Sequence, residues 1–184
     1  MTVIDVHTHM LDREWLRLLK ESGAPRYEVG PITDDLEGIY HDGALFMTPM
    51  PGHFDYDLRV RDMDQAGVDL AIVSLTCPNV FWGGEAVSLE AARIVNDSMA
   101  EGQARHPERI RWLASLPWEY AESAVAELER ACGRGAVGVL LLRGALGGLL
   151  GGDVGGVPRR LGGLDRRQVT RHEAQGWPDW QWRR

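Results

Sequence analysis

The sequence has 184 residues, 44% of them hydrophobic, and a formal net charge of -7. That is enough chain for one core but short of the roughly 250 residues of a closed β/α barrel. The acidic balance argues against nucleic acid or an anionic membrane as the main partner, since both call for a basic footprint; a small molecule is the expected partner. The two cysteines, Cys77 and Cys132, make no disulfide framework. With no basic-then-apolar leader and no apolar run of about 18 residues, the expectation is a protein of the reducing cytoplasm.

The chain opens MTVIDVHTHML, a short apolar run that leads into two histidines. Residues two apart on a strand point the same way, so His7 and His9 are expected side by side at the carboxyl end of a first strand. By the same alternation Asp5 is expected to face the His7 side. It could orient the His7 imidazole or bond to nearby backbone, and the pattern leaves both open. In DREWLRLLKESG the apolar residues Trp15, Leu18 and Leu19 have helical spacing, with a stop at Gly23. Residues 24–52 break the rhythm. There the Asp42-Gly43 pair signals a hairpin, so this stretch reads as an insertion with a small antiparallel ribbon.

The alternation then resumes. Tyr56, Val60 and Met63 predict one face of a helix ending at Gly67, and VDLAIVSL predicts a buried strand. The next helix is expected to turn Leu89, Ala92, Val95 and Met99 inward and to end near His106-Pro107. RIRWLASLP is the third strand, Ala121, Val125, Leu128 and Cys132 mark a fourth helical face, and AVGVLLL is the fourth strand. Beyond Arg143 the sequence becomes crowded with Gly, Arg and Trp, with neither a strand run nor a capped helix. Residues 143–184 are read as a nonnative or disordered tail, a product of a lost reading frame near Arg143.

The series IDVHTHM, DLRVRDMDQAGVDLAIVSL, TCPNVFW, RHPERIRWLASLP and GAVGV resembles the amino-terminal half of the amidohydrolase superfamily, in the branch typified by 2-amino-3-carboxymuconate-6-semialdehyde decarboxylase. The resemblance covers residues 1–142. It implies an α/β fold: a truncated (β/α)8 TIM barrel of about the first four β/α units plus the small β-hairpin insertion. It also implies one divalent metal ion, commonly zinc, at the carboxyl ends of the strands.

His7 and His9 fit such a centre as half of its ligand set, because zinc takes imidazole ligands and keeps a position open. Asn79, Phe81 and Trp82 follow the second barrel strand and are the candidate substrate-binding residues, one amide and two rings on a loop at the histidines' end. Arg59 and Arg61 read as solvated or surface-paired, and His41 and His53 as surface residues of the insertion. The family's remaining ligands and its acid-base histidine lie on later strands, and His172 has no strand before it, so no catalytic residue is named.

The activity implied is nonoxidative decarboxylation of an unsaturated or aromatic carboxylic acid. The alternatives are metal-dependent hydrolysis of a lactone or amide, and a noncatalytic fragment. Four strands of an eight-stranded barrel also leave open sheet edges, so a homo-oligomer or aggregation is expected.

Overall fold

The structure is a computed structural model and describes residues 2–140. The expectations for residues 143–184 and for His172 lie outside the described residues. Strand β1 (Ile4–His9) leads into helix α1 (Arg13–Ser22), and strands β2 (Tyr27–Thr33), β3 (Leu36–His41) and β4 (Ala44–Met47) follow. After a 3-10 turn at Pro51–His53 come α2 (Tyr56–Ala66), β5 (Leu70–Ser74), α3 (Glu85–Arg105), β6 (Ile110–Ala114), α4 (Ala121–Gly133) and β7 (Gly138–Val139).

Strands β1, β5, β6 and β7 form one sheet in that order, with every pairing parallel. This is the order of four successive β/α units of a barrel, each strand joined to the next by a crossover. The core lies between sheet and helices: Ala71 and Val73 of β5, and Ile110, Trp112 and Ala114 of β6, are fully buried against Trp15, Leu19, Ala91, Ala92 and Val95.

The helices start where the sequence supplies caps. Asp12 accepts from the amides of Glu14 and Trp15, and Asp55 from those of Asp57 and Leu58. At the far end of α2, Gly67 ends the helix at φ 69°, in the left-handed region that favours glycine.

Three expectations need correction. The insertion holds three antiparallel strands, β2-β3-β4, where a two-stranded hairpin was expected. The Asp42-Gly43 turn joins β3 to β4 with φ 48° and 78°, the geometry of a tight hairpin turn.

Helix α4 is rotated from the predicted face. Ala124, Glu127 and Ala131 are buried, while Val125 is 41% exposed and Cys132 is exposed. The cause is Glu127, which turns inward to meet Asn96 and Arg130.

On α3, Ala92, Val95 and Met99 are buried as expected, but Leu89 is half-buried, with Ser88, Ala91 and Asn96 sharing the interior.

Candidate metal centre at the end of the first strand

Strand β1 carries the two histidines to the carboxyl edge of the sheet. Its register against β5 shifts between Asp5 and Thr8: Asp5 lies opposite Ala71, Thr8 opposite Val73 and His9 opposite Ser74. One extra residue of β1 is absorbed there as a bulge, and bulges re-aim side chains. The imidazoles of His7 and His9 lie edge to face, with ring centroids 4.9 Å apart and planes at 75°. His7 is exposed and His9 half-buried.

The bulge also decides what Asp5 does. Its carboxylate accepts from the His7 backbone amide at 3.0 Å, so it braces the main chain of the bulge.

His9 is held on two sides. Its Nδ1 lies 3.3 Å from the Ser74 carbonyl and 3.2 Å from the Ser74 hydroxyl. A carbonyl can only accept, so Nδ1 carries the proton and donates to it, which leaves the Nε2 lone pair free. Burial lowers the His9 pKa. The Ser74 hydrogen bond opposes that shift, and the charges of His7, His53 and Arg59 add to it. A lowered pKa keeps the ring neutral near pH 7, the form that binds metal.

Two neighbours of His9 were expected on the surface. His53 is half-buried; its ring Nδ1 accepts from the Met50 amide at 3.0 Å, and its carbonyl accepts from Leu11 N at 2.7 Å. Burial, followed by the charge of Arg59, lowers its pKa as well. Arg59 reaches across from α2, its Nη2 donating to the His9 carbonyl at 3.2 Å and to the Gly52 carbonyl at 3.3 Å. No local pattern announces these contacts, because they arise when the chain returns past the end of β1 after the insertion.

The loop after β5 is built around Asn79. This residue is 1% exposed, takes φ 56°, and its side-chain amide donates to the Leu75 carbonyl at 3.1 Å. Its own carbonyl accepts two indole N–H bonds, from Trp15 of α1 and from Trp82, each at 2.9 Å. Phe81 and Trp82 are partly buried against the core. The three residues thus form one folded turn.

Among the described residues no group of three or more His, Cys, Asp or Glu side chains is arranged to hold a metal ion. The donors present still suit one. Two imidazoles share the same edge, one with its Nε2 freed by an internal hydrogen bond, and imidazole is a ligand shared by zinc and other first-row ions.

A parallel β/α sheet bearing paired imidazoles at its carboxyl end defines a class of fold, the β/α barrel, of which the described residues supply four units. Within that fold the chain is similar to the amino-terminal half of decarboxylases of the amidohydrolase superfamily, in the branch of 2-amino-3-carboxymuconate-6-semialdehyde decarboxylase. It is 29% identical over 130 residues to the decarboxylase of that name from Dictyostelium discoideum, covering 69% of this chain and 36% of the relative. It is 43% identical over 75 residues to the gamma-resorcylate decarboxylase of Polaromonas sp. strain JS666, covering 40% of this chain and 23% of the relative.

Among solved structures, the dihydroxybenzoic acid decarboxylase from Polaromonas sp. JS666, with bound manganese and the inhibitor 2-nitroresorcinol, superposes with a TM-score of 0.53 at 32% identity. That match covers 77% of this chain and 38% of the other. The chain therefore spans about a third of the length of the curated relatives it matches. No family model matches it.

Proposed function

We propose that this sequence serves a metal-dependent, nonoxidative decarboxylase acting on an unsaturated or aromatic carboxylic acid. The observation that carries this reading is the His7–His9 pair at the carboxyl end of β1, in a chain whose relatives are named for decarboxylation. Those relatives act on aminocarboxymuconate semialdehyde and on gamma-resorcylate, as their names state. His7 and His9 would hold one divalent ion, which we take to be zinc because the donors are imidazoles. When bound, the ion fixes and polarises an acidic oxygen of the substrate.

The chain's own residues prepare that centre. The Ser74 carbonyl keeps the proton on Nδ1 of His9, burial keeps the ring neutral, and the Asn79 turn lays Phe81 and Trp82 beside the end of β5, where they could cover an aromatic acid. The acid that would protonate the carbon left behind by carbon dioxide is not assigned among the described residues, and the chain of 184 residues is not expected to turn over by itself. Two unpaired thiols suit a reducing cytoplasm.

The test joins residues 1–140 to the second half of the barrel from the gamma-resorcylate decarboxylase relative and measures carbon dioxide released from 2,6-dihydroxybenzoate with zinc or manganese. Release that is lost in His7→Ala and in His9→Ala is the expected result. A folded, metal-loaded chimera that releases carbon dioxide equally well without either histidine would overturn the reading.

A further inference from the structure

Arg59 is half-buried near the end of β1. It leaves α2 and crosses to the end of β1, where one terminal nitrogen bridges the carbonyls of His9 and Gly52, while its Nε is buried with no hydrogen-bond partner. Those carbonyls belong to two segments that the Leu11 N to His53 O bond of 2.7 Å also joins. Holding the His9 main chain from one side while Ser74 holds its ring from the other leaves Nε2 one direction in which to point.

We propose that Arg59 is a positioning residue of this centre: by tying the His9 backbone to the Gly52–His53 turn, it fixes where the His9 imidazole presents its free nitrogen. The proposal rests on the reading of His7 and His9 as metal ligands. It is a claim about geometry more than about charge, since Arg59 donates to the His9 main-chain carbonyl at 3.2 Å. A nearby positive charge would also repel a metal ion, so an arginine kept for its charge alone would be a handicap there.

Two substitutions separate the possibilities. Arg59→Met removes fork and charge, whereas Arg59→Lys keeps the charge and loses the planar fork that reaches two carbonyls. Arg109 provides the comparison. It makes the same kind of clamp before β5, donating to the carbonyls of Asp69 and Val68 at 2.8 and 2.9 Å, away from the histidines.

The probe is cobalt(II) chloride titrated into the full chain and followed by its visible absorption. A second readout needs no metal: the imidazole nitrogen resonances of His9, which report whether Nδ1 alone holds the proton. Both Arg59 variants are expected to weaken cobalt binding by about 10- to 100-fold, the usual effect of losing a group that orients a ligand, and to convert His9 to a mixture of tautomers. Arg109→Met should lower the melting temperature and leave both readouts as in the parent chain.

An Arg59→Lys variant that behaves as the parent would show that charge alone matters, and equal losses in Arg109→Met would show general loosening; either overturns the proposal. Loss of binding in the His7→Ala, His9→Ala double variant, with none in the Arg59 variants, would sink the Arg59 role and leave the metal reading standing. Cobalt binding that survives the double variant, or is absent in the parent, would sink the metal reading, and the Arg59 role with it.

Discussion

Asn96 of α3 and Ser115, just past β6, exchange two hydrogen bonds: the Asn96 amide donates to the Ser115 carbonyl, and Ser115 N donates back to Asn96 Oδ1, both at 2.9 Å. The same amide nitrogen donates to Glu127 Oε1 at 2.7 Å, and Arg130 grips that carboxylate through two further bonds of 2.8 Å. Asn96 and Glu127 are essentially inaccessible to water. A side-chain amide thus takes the place of a neighbouring strand at the carboxyl end of β6, and a buried carboxylate is tolerated because every lone pair facing the protein finds a donor.

Replacing Asn96 with alanine is expected to strand both main-chain groups of Ser115 and one lobe of the Glu127 carboxylate. A buried group left unpaired costs about 1–3 kcal/mol. The expected loss in urea unfolding is therefore about 2–4 kcal/mol. A change below about 0.5 kcal/mol would mean that water substitutes for the amide, and that the network is not closed to solvent.

Gly102 supplies the space in which the Tyr56 ring lies. A Cβ at position 102 would enter the ring at Cε1 and Cζ, with Cδ1 at 2.7 Å. Alanine gains about 1 kcal/mol of helix propensity, but overpacking a core costs about 1–3 kcal/mol. Gly102→Ala should therefore lower stability by up to about 2 kcal/mol net. Adding Tyr56→Leu to the same chain should recover part of that loss, and purely additive effects in the double-mutant cycle would refute the contact.

Asp55 gives stability a pH dependence of known sign. Its pKa is lowered because the carboxylate accepts from the amides of Leu58 and Asp57. A carboxyl whose folded pKa lies below its unfolded value contributes fully above the unfolded value, and that contribution is lost as pH falls through the folded one. Parent and Asp55→Ala chains should differ in melting temperature at pH 7 and converge as pH falls below the ordinary aspartate value of about 4. A difference that grew on acidification would contradict the cap.

Strand β1 has β5 on one side and no partner on the other among the described residues. Val3, just before it, and Ile4 and Val6 within it are 48%, 48% and 61% exposed. An apolar strand edge is a template for another chain, and an inserted lysine blunts it. The 184-residue chain should self-associate in sedimentation, and Val6→Lys should shift it toward monomer with the circular dichroism unchanged. A monomeric parent chain at high concentration would show that the edge is covered.

The barrel units were legible because buried parallel strands and amphipathic helices write opposite periods into a sequence, and Asp12, Asp55 and Gly67 punctuate them. Strand β2 was hidden, because Gly30 and Pro31 interrupt the residues that would announce it. The inward face of α4 was misjudged for a different reason: one sequence cannot reveal that a glutamate is buried until its partners on α3 are brought alongside. The His7–His9 pair was visible as spacing on one strand. Arg59 and His53 were not, since their closeness to His9 is made by a return of the chain across about fifty residues, which local pattern does not encode.

The extra residue in β1 has a consequence for how such a sequence can evolve. Before the shift the strand pairs in the register its sheet neighbours require; after it, His9 lies opposite Ser74. A single deletion at Val6 would heal the ladder into an uninterrupted pairing, with His9 still opposite Ser74, and would remove the bulge that sets the aim of His7. The regular sheet and the present aim of the His7 side chain are thus rival outcomes separated by one codon. A screen for thermal tolerance alone would be drawn to the deletion, and would discard the placement of that histidine while appearing to improve the protein.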